Sequence, residues 1–104
     1  MASYQVEITD AARREIRNLP GNVRQLIFRE IQALEKEARP HSGKELKSAK
    51  NFEIPKGMEL HRIRIDHWRI VYVIELDLSL VTVLAVRKRP PYQYEDLEEL
   101  LEEV

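Results

Sequence analysis

The 104-residue sequence contains no cysteine, which excludes a disulfide framework, a thiolate nucleophile and every thiolate-bound metal or cluster. A chain without thiols fits a reducing cytosol. Glycine is nearly as scarce, with three residues, so neither a glycine-rich phosphate loop nor a G-x-S-x-G nucleophile elbow is present. No apolar run approaches the roughly 20 residues needed to cross a bilayer, and the opening MASYQVEITDA has no basic leader followed by an apolar stretch. These absences predict a cytoplasmic protein without a membrane anchor. There is no internal repeat or low-complexity tract, and the length is that of a single domain spanning residues 1–104.

What the sequence does have is charge, unevenly placed. Lys and Arg total 17 against 18 Asp and Glu, a net of −1. All 17 bases fall within residues 1–94 against 12 acids, a net of +5, while the last ten residues, EDLEELLEEV, hold six acids and no base. A near-neutral total thus conceals a basic body and an acidic tail. The tail, with Leu97, Leu100 and Leu101 at helical spacing, reads as a short final helix. Its acids form either a solvated helix face or a cover for the basic surface.

Hydrophobic periodicity lays out the rest. Tyr4, Val6 and Ile8 alternate as a first strand. Asp10 stands where an N-cap would, ahead of Ala12, Ile16 and Leu19, and Leu19-Pro20-Gly21 ends that helix. Asn22 is placed to cap a longer helix carrying the stripe Val23, Ile27, Ile31, Leu34 and Ala38. The connection is short enough to fold the two helices into an antiparallel hairpin. Residues 44–57 are basic and poorly periodic, and read as mostly loop. Three strand-like runs follow, 59–65, 68–76 and 80–87, with linkers too short for crossover helices, so they pair antiparallel. The expected fold is α+β, in the order β-α-α-β-β-β-α: an N-terminal strand, an antiparallel helical hairpin packed on a small, mainly antiparallel four-stranded sheet, and a short C-terminal helix.

The segment LHRIRIDHWRIVY, residues 60–72, carries the functional signal. A two-residue turn at Asp66-His67 pairs Ile65 with Trp68, Arg64 with Arg69, Ile63 with Ile70, Arg62 with Val71 and His61 with Tyr72. One face then gathers Ile63, Ile65, Trp68, Ile70, Tyr72 and Ile74 for the core. The other face, expected to be solvated, gathers Arg62, Arg64 and Arg69, with Val71 and Val73 between them. Like charges placed opposite one another cost up to roughly 1 kcal/mol, and a purely structural sheet has little reason to keep them unless Glu59, Glu75 or the tail neutralises them. Guanidinium groups suit phosphate because the planar fork donates two parallel hydrogen bonds. The last strand ends VRKRPPYQY, adding Arg87, Lys88 and Arg89 and then Tyr92 and Tyr94. Cations interleaved with rings are what single-stranded RNA recognition uses. Lys44, Lys47 and Lys50 point the same way. A metal reading of His61, Asp66 and His67 is disfavoured, because His61 falls on the core face and His67 in the turn; neither a metal nor a cofactor is expected.

The chain resembles the RelE/ParE superfamily of toxins from type II toxin-antitoxin systems, nearer to RelE. The resemblance runs through TDAARREIRNLP (9–20), GKELK (43–47), HRIRIDHWRIVY (61–72) and LVTVLAVRKRPPY (80–92). It implies a ribosome-dependent endoribonuclease, an mRNA interferase that cuts messenger RNA in the A site as a 2′-OH attacks the neighbouring phosphate. Arg62, Arg64, Arg69 and Arg89 match the family's catalytic cations. The family's stacking tyrosine is matched by Tyr94 or Tyr92, with spacing favouring Tyr94. Lys47, Arg87, Lys88 and Tyr92 are left to bind RNA. The implied partners are the ribosome, its messenger RNA and a RelB-like antitoxin in a hetero-oligomer. The alternative activity on this scaffold is ParE-like, non-nucleolytic inhibition of DNA gyrase. Arginine is not a proton acceptor at neutral pH, so the general base is open among Lys88, Lys47, His67, Asp66 and ribosomal groups.

Overall fold

A computed structural model describes residues 3–40, 43–46 and 54–88. Strand β1 (Gln5–Ile8) leads into helix α1 (Asp10–Arg17) and helix α2 (Gly21–Ala33). Strands β2 (Gly43–Glu45), β3 (Met58–Ile65) and β4 (Trp68–Glu75) follow, then a 3-10 turn (Leu76–Leu78) and β5 (Leu80–Lys88). The sheet runs β1-β5-β4-β3-β2, with β1 parallel to β5 and every other pair antiparallel. The α+β class is the expected one, and the sheet has one strand more than the four anticipated. The expected C-terminal helix, with Leu97, Leu100 and Leu101, lies outside the described residues.

The N-caps stand one residue (α1) and two residues (α2) before the positions expected for them. Thr9, not Asp10, caps α1: its Oγ1 accepts a hydrogen bond from the Ala12 N–H at 3.1 Å, a contact worth about 1 kcal/mol. Asp10 instead occupies the first turn, where its charge meets the positive end of the helix dipole. Asn22 does not cap α2, which starts at Gly21 behind Pro20 without any side-chain cap. The α2 stripe continues beyond the helix, since Leu34 and Ala38 are buried although the helix ends at Ala33. Tyr72 secures that extension by donating its hydroxyl to the Ala38 carbonyl at 2.7 Å.

Strand β2 lies in a stretch read as loop. Its GKE sequence has no apolar alternation to reveal it, and it forms only because β3 offers an open edge. Gly43 gives the start of β2 room, because a Cβ there would press to 3.3 Å from the Pro40 carbonyl and 3.4 Å from the Arg62 carbonyl.

The β3–β4 register is the expected one, from Met58 opposite Glu75 to Ile65 opposite Trp68, and Asp66 adopts φ 55° in the turn. Ile63, Ile70, Tyr72 and Ile74 pack against Ala12, Ile16, Ile27 and Ile31, with Ile65 and Trp68 half-buried at the margin. The opposite face departs from expectation. Leu60, Val71, Val73, Leu84 and Ala85 form a second buried cluster, joined by Ala11, Leu46, Ile54 and Met58, so this face is solvated only in part. Central strands buried on both sides read as continuous apolar runs, and RIVYVI and VTVLAV do so.

Strand β5 carries a bulge. Val71 pairs with Ala85 but Tyr72 pairs with Val83, which leaves Leu84 as the extra residue. With a regular register, Val86 would stand opposite Arg69. The bulge instead sends Val86 to the helix-side core and sets Arg87 opposite Arg69.

Candidate functional site

The pairing of three strands brings the arginines into one row. Arg64 on β3 is directly opposite Arg69 on β4, and Arg69 is directly opposite Arg87 on β5. Directly opposed residues share a face, so this row lies on the face away from the helices. The next row along that face runs Lys44, Arg62, Val71 and Ala85. Lys44 thus joins the group through β2.

Each cation sits in a different setting. Arg64 is exposed. Arg69, expected on a solvated face, is only 4% exposed and donates from Nη1 to its neighbour's carbonyl, that of Trp68, at 3.3 Å. The second apolar cluster beside it, with Val71 next along the same face of β4, accounts for the difference. Arg62 is half-buried, and its Nε is sealed from solvent with no hydrogen-bond partner. Arg87 is held by α1: its Nε meets Glu15 Oε2 at 2.8 Å, while Glu15 Oε1 accepts from the Val86 N–H at 3.0 Å. Glu15 therefore closes the β5 edge beyond the end of β1 and orients Arg87. The sequence reading missed it, although a lone acid within AARREIR is a visible signal. Lys88 is exposed at the strand end opposite Trp68. Arg89, Tyr92, Tyr94, Lys47 and Lys50 lie outside the described residues.

Neither Glu59 nor Glu75 neutralises the row. Among the described residues Arg62, Arg64 and Arg69 pair with no carboxylate. Glu75 sits at the far end of β4, opposite Met58 and Leu80. Glu59 Oε1 binds Arg39 Nη2 at 2.8 Å and His61 Nε2 at 2.9 Å. Burial alone would push the Glu59 carboxyl up, but hydrogen bonds from His61 and Arg39 together outweigh it and hold the group below the usual carboxylate range. The same contact, through the hydrogen bond first, holds the Arg39 guanidinium above its ordinary value. His61 also stacks on Tyr72, with ring centroids 5.5 Å apart, and burial pushes the Tyr72 phenol well up.

His67 and Asp66 face each other at 3.7 Å in the exposed turn, apart from His61. Among the described residues, the donors that do converge as a metal site would require are Glu45, Glu59 and His61, with ligand atoms within 4.8 Å of one another. Arg39 already supplies positive charge at the Glu59 oxygen that His61 shares, which accounts for that contact without a metal ion. No helix among the described residues is long and apolar enough to cross a membrane.

Comparison with known proteins agrees with this architecture. The solved chain of the RelE–RelB complex of the archaeon Pyrococcus horikoshii aligns with a TM-score of 0.73 at 18% identity, covering 86% of this chain and 98% of that one. A chain of the RelBE2 toxin–antitoxin complex of Mycobacterium tuberculosis aligns at 0.67 and 25% identity, covering 84% and 99%. The isolated RelE toxin of E. coli aligns at 0.66 and 20% identity, covering 96% and 97%. No curated protein sequence matches. The family model for the ParE toxin of the type II toxin–antitoxin system parDE matches residues 6–90, the span from the first strand through the end of the arginine-bearing sheet. The chain therefore belongs to the ParE toxin family of type II toxin–antitoxin systems, within the RelE/ParE superfamily, and has the fold seen in RelE toxins.

Proposed function

We propose that this toxin is a ribosome-dependent endoribonuclease that cleaves messenger RNA in the A site. The observation that carries the reading is the row Arg64–Arg69–Arg87 with Arg62 and Lys44 beside it, three of whose arginines pair with no carboxylate among the described residues. A sheet that sets like charges opposite one another forgoes stability, and a phosphate recovers it.

In the proposed reaction the 2′-oxygen bonds to the adjacent phosphorus, the bond from phosphorus to the 5′-oxygen breaks, and the 2′-proton passes to a base. Charge develops on the phosphorane oxygens, where preorganised cations act most strongly. Arg69 and Arg89 serve there, Arg62 and Arg64 hold the flanking phosphates, and Arg87, Lys88 and Lys47 track the backbone. Tyr94 stacks on a base, with Tyr92 as the other candidate for that ring. Arginine keeps its proton, so the base is a different group. Of the candidate bases among the described residues, Asp66 and His67 lie in the turn between β3 and β4, and Lys88 stands opposite Trp68 at the end of β5. The ribosome holds the 2′-OH in line.

A RelB-like antitoxin is the proposed partner in a hetero-oligomer, since solved RelE chains of this fold come from complexes with RelB. The match to a ParE family model favours a second reading, inhibition of DNA gyrase without cleavage. Induction followed by mapping of messenger 5′ ends separates the two. Cuts within codons on translating ribosomes support the nuclease; intact messenger with gyrase-dependent DNA damage overturns it.

A further inference from the structure

The face that carries the arginine row is acidic at its other end. Row by row from β1, Glu7 is opposite Thr82 and Thr82 is opposite Val73; next to them Leu80 is opposite Glu75. A cavity of about 440 Å³ opens here, lined by Glu7, Thr9, Asp10, Glu75, Leu80 and Thr82 among others, with no base in its wall among the described residues. From Thr82 to Arg87 is five residues along β5, roughly 17 Å, so this is a place apart from the row.

Two independent features point to a ligand. The three carboxylates pair with no base among the described residues; the neighbouring Arg13 donates to the Ile8 carbonyl instead. Thr82 is only 5% exposed, and its Oγ1 is buried without a hydrogen-bond partner, a state that ordinarily destabilises a fold. Thr82 is among the residues that line the cavity. The positive end of α1 does not reverse the sign of the site, because Thr9 caps it and Asp10 occupies its first turn.

The chemistry of the occupant follows from spacing. Glu7, Asp10 and Glu75 do not converge closely enough to chelate one ion, since the converging set among the described residues lies elsewhere. A guanidinium fits better, because five N–H donors spread over a planar fork reach separated acceptors at once. The source of that group follows from the surroundings. Between Glu75 and Leu80 the chain exposes Leu76 and Leu78, at 43% and 65%. The turn that presents them is tied down, with the Leu76 N–H bonded to the Gly57 carbonyl at 3.0 Å and the Gln5 N–H to the Ser79 carbonyl at 3.0 Å. Exposed leucines held beside an acidic cavity suit a polypeptide with an arginine among apolar residues.

We propose that this acidic end is a docking site for an arginine side chain of a partner polypeptide, bound by Glu7, Asp10, Glu75 and the Thr82 hydroxyl, with apolar neighbours on Leu76 and Leu78. The site does not depend on the nuclease reading.

The test is an amide chemical-shift titration of the full chain at about 0.15 M salt, where loose surface attraction is largely screened. The probes are acetyl-Leu-Arg-Leu-amide, its Lys counterpart and agmatine. Saturable shifts confined to residues 7–10 and 75–82 are expected, with the arginine peptide binding about tenfold tighter than either other probe. Glu75→Gln and the exposed Glu7→Gln should each weaken it about tenfold, as loss of a charge-assisted hydrogen bond does. Thr82→Val should weaken it several-fold without lowering the melting temperature, because the hydroxyl it removes has no partner within the protein. Shifts scattered over all acidic residues, or affinity unchanged in both Glu7→Gln and Thr82→Val, would overturn the site. Agmatine binding as tightly as the peptide would overturn the polypeptide as its occupant.

Discussion

Arg69 on β4 stands between two other arginines, directly opposite Arg64 on β3 and directly opposite Arg87 on β5, and is itself 4% exposed. Its described hydrogen bond goes to the Trp68 carbonyl rather than to a carboxylate. A buried guanidinium flanked by like charges is held there against its own electrostatics, and that tension makes the site testable separately from the fold.

Arg69→Met keeps the buried stem and removes the charge. Replacing a poorly compensated buried ion by an apolar group of similar volume stabilises by about 1 to 2 kcal/mol, so the melting temperature should rise by roughly 4 to 8 °C for each kilocalorie in a domain of this size. Messenger cleavage should fall by about two to three orders of magnitude, as it does when a donor to a developing oxyanion is lost. A melting temperature that drops would show that Arg69 holds the sheet together.

Glu15 serves both β5 and Arg87, and two variants separate the roles. Glu15→Gln keeps an acceptor for the Val86 N–H and loses the ion pair, which is partly exposed, so thermal stability should change by less than about 1 kcal/mol. Glu15→Ala leaves a buried N–H unsatisfied and should cost about 1 to 3 kcal/mol. Denaturant melts of the two variants give the comparison.

Acid should loosen the Arg39–Glu59–His61 contact. The Glu59 carboxyl lies below its unfolded value of about 4.3, so its contribution is fully present above that pH and is lost as pH falls through the lowered folded value. Urea melts at pH 7 and through the acid range should show Glu59→Gln destabilised at neutral pH and converging on the parent as the solution is acidified. A constant gap across the whole range would mean that the carboxylate charge contributes nothing.

Gly43→Ala drives a methyl group against the Pro40 and Arg62 carbonyls. The β2 edge should give way at a cost of about 1 kcal/mol or more, visible as faster hydrogen exchange at the Leu46 amide, which bonds the Leu60 carbonyl at 2.7 Å. Because β2 brings Lys44 opposite Arg62, RNA cleavage should weaken as well. Unchanged exchange at Leu46 would show that the edge accommodates the methyl.

The central hairpin was legible because its two-residue turn and its alternation leave one register that buries Ile63, Ile70, Tyr72 and Ile74 together, and that register also sets Arg64 opposite Arg69. The α1 cap was misread by one residue, because Thr9 and Asp10 are both good caps and only backbone direction chooses between them. Strand β2 was illegible, since GKE has no hydrophobic pattern and owes its existence to an edge built elsewhere.

By itself, then, the sequence determined the elements whose side chains must leave water: the helices on their apolar stripes, the hairpin, and the clustering of Arg62, Arg64 and Arg69 that comes with it. Tertiary structure decided what depends on residues far apart in the chain. The Leu84 bulge turns Arg87 into the row, Glu15 reaches across 72 positions to hold it, and a second apolar cluster buries Arg69. The physical reason is that local periodicity records which face of a strand is apolar, whereas a bulge and an edge contact are fixed by what the neighbouring strand and helix leave unpaired.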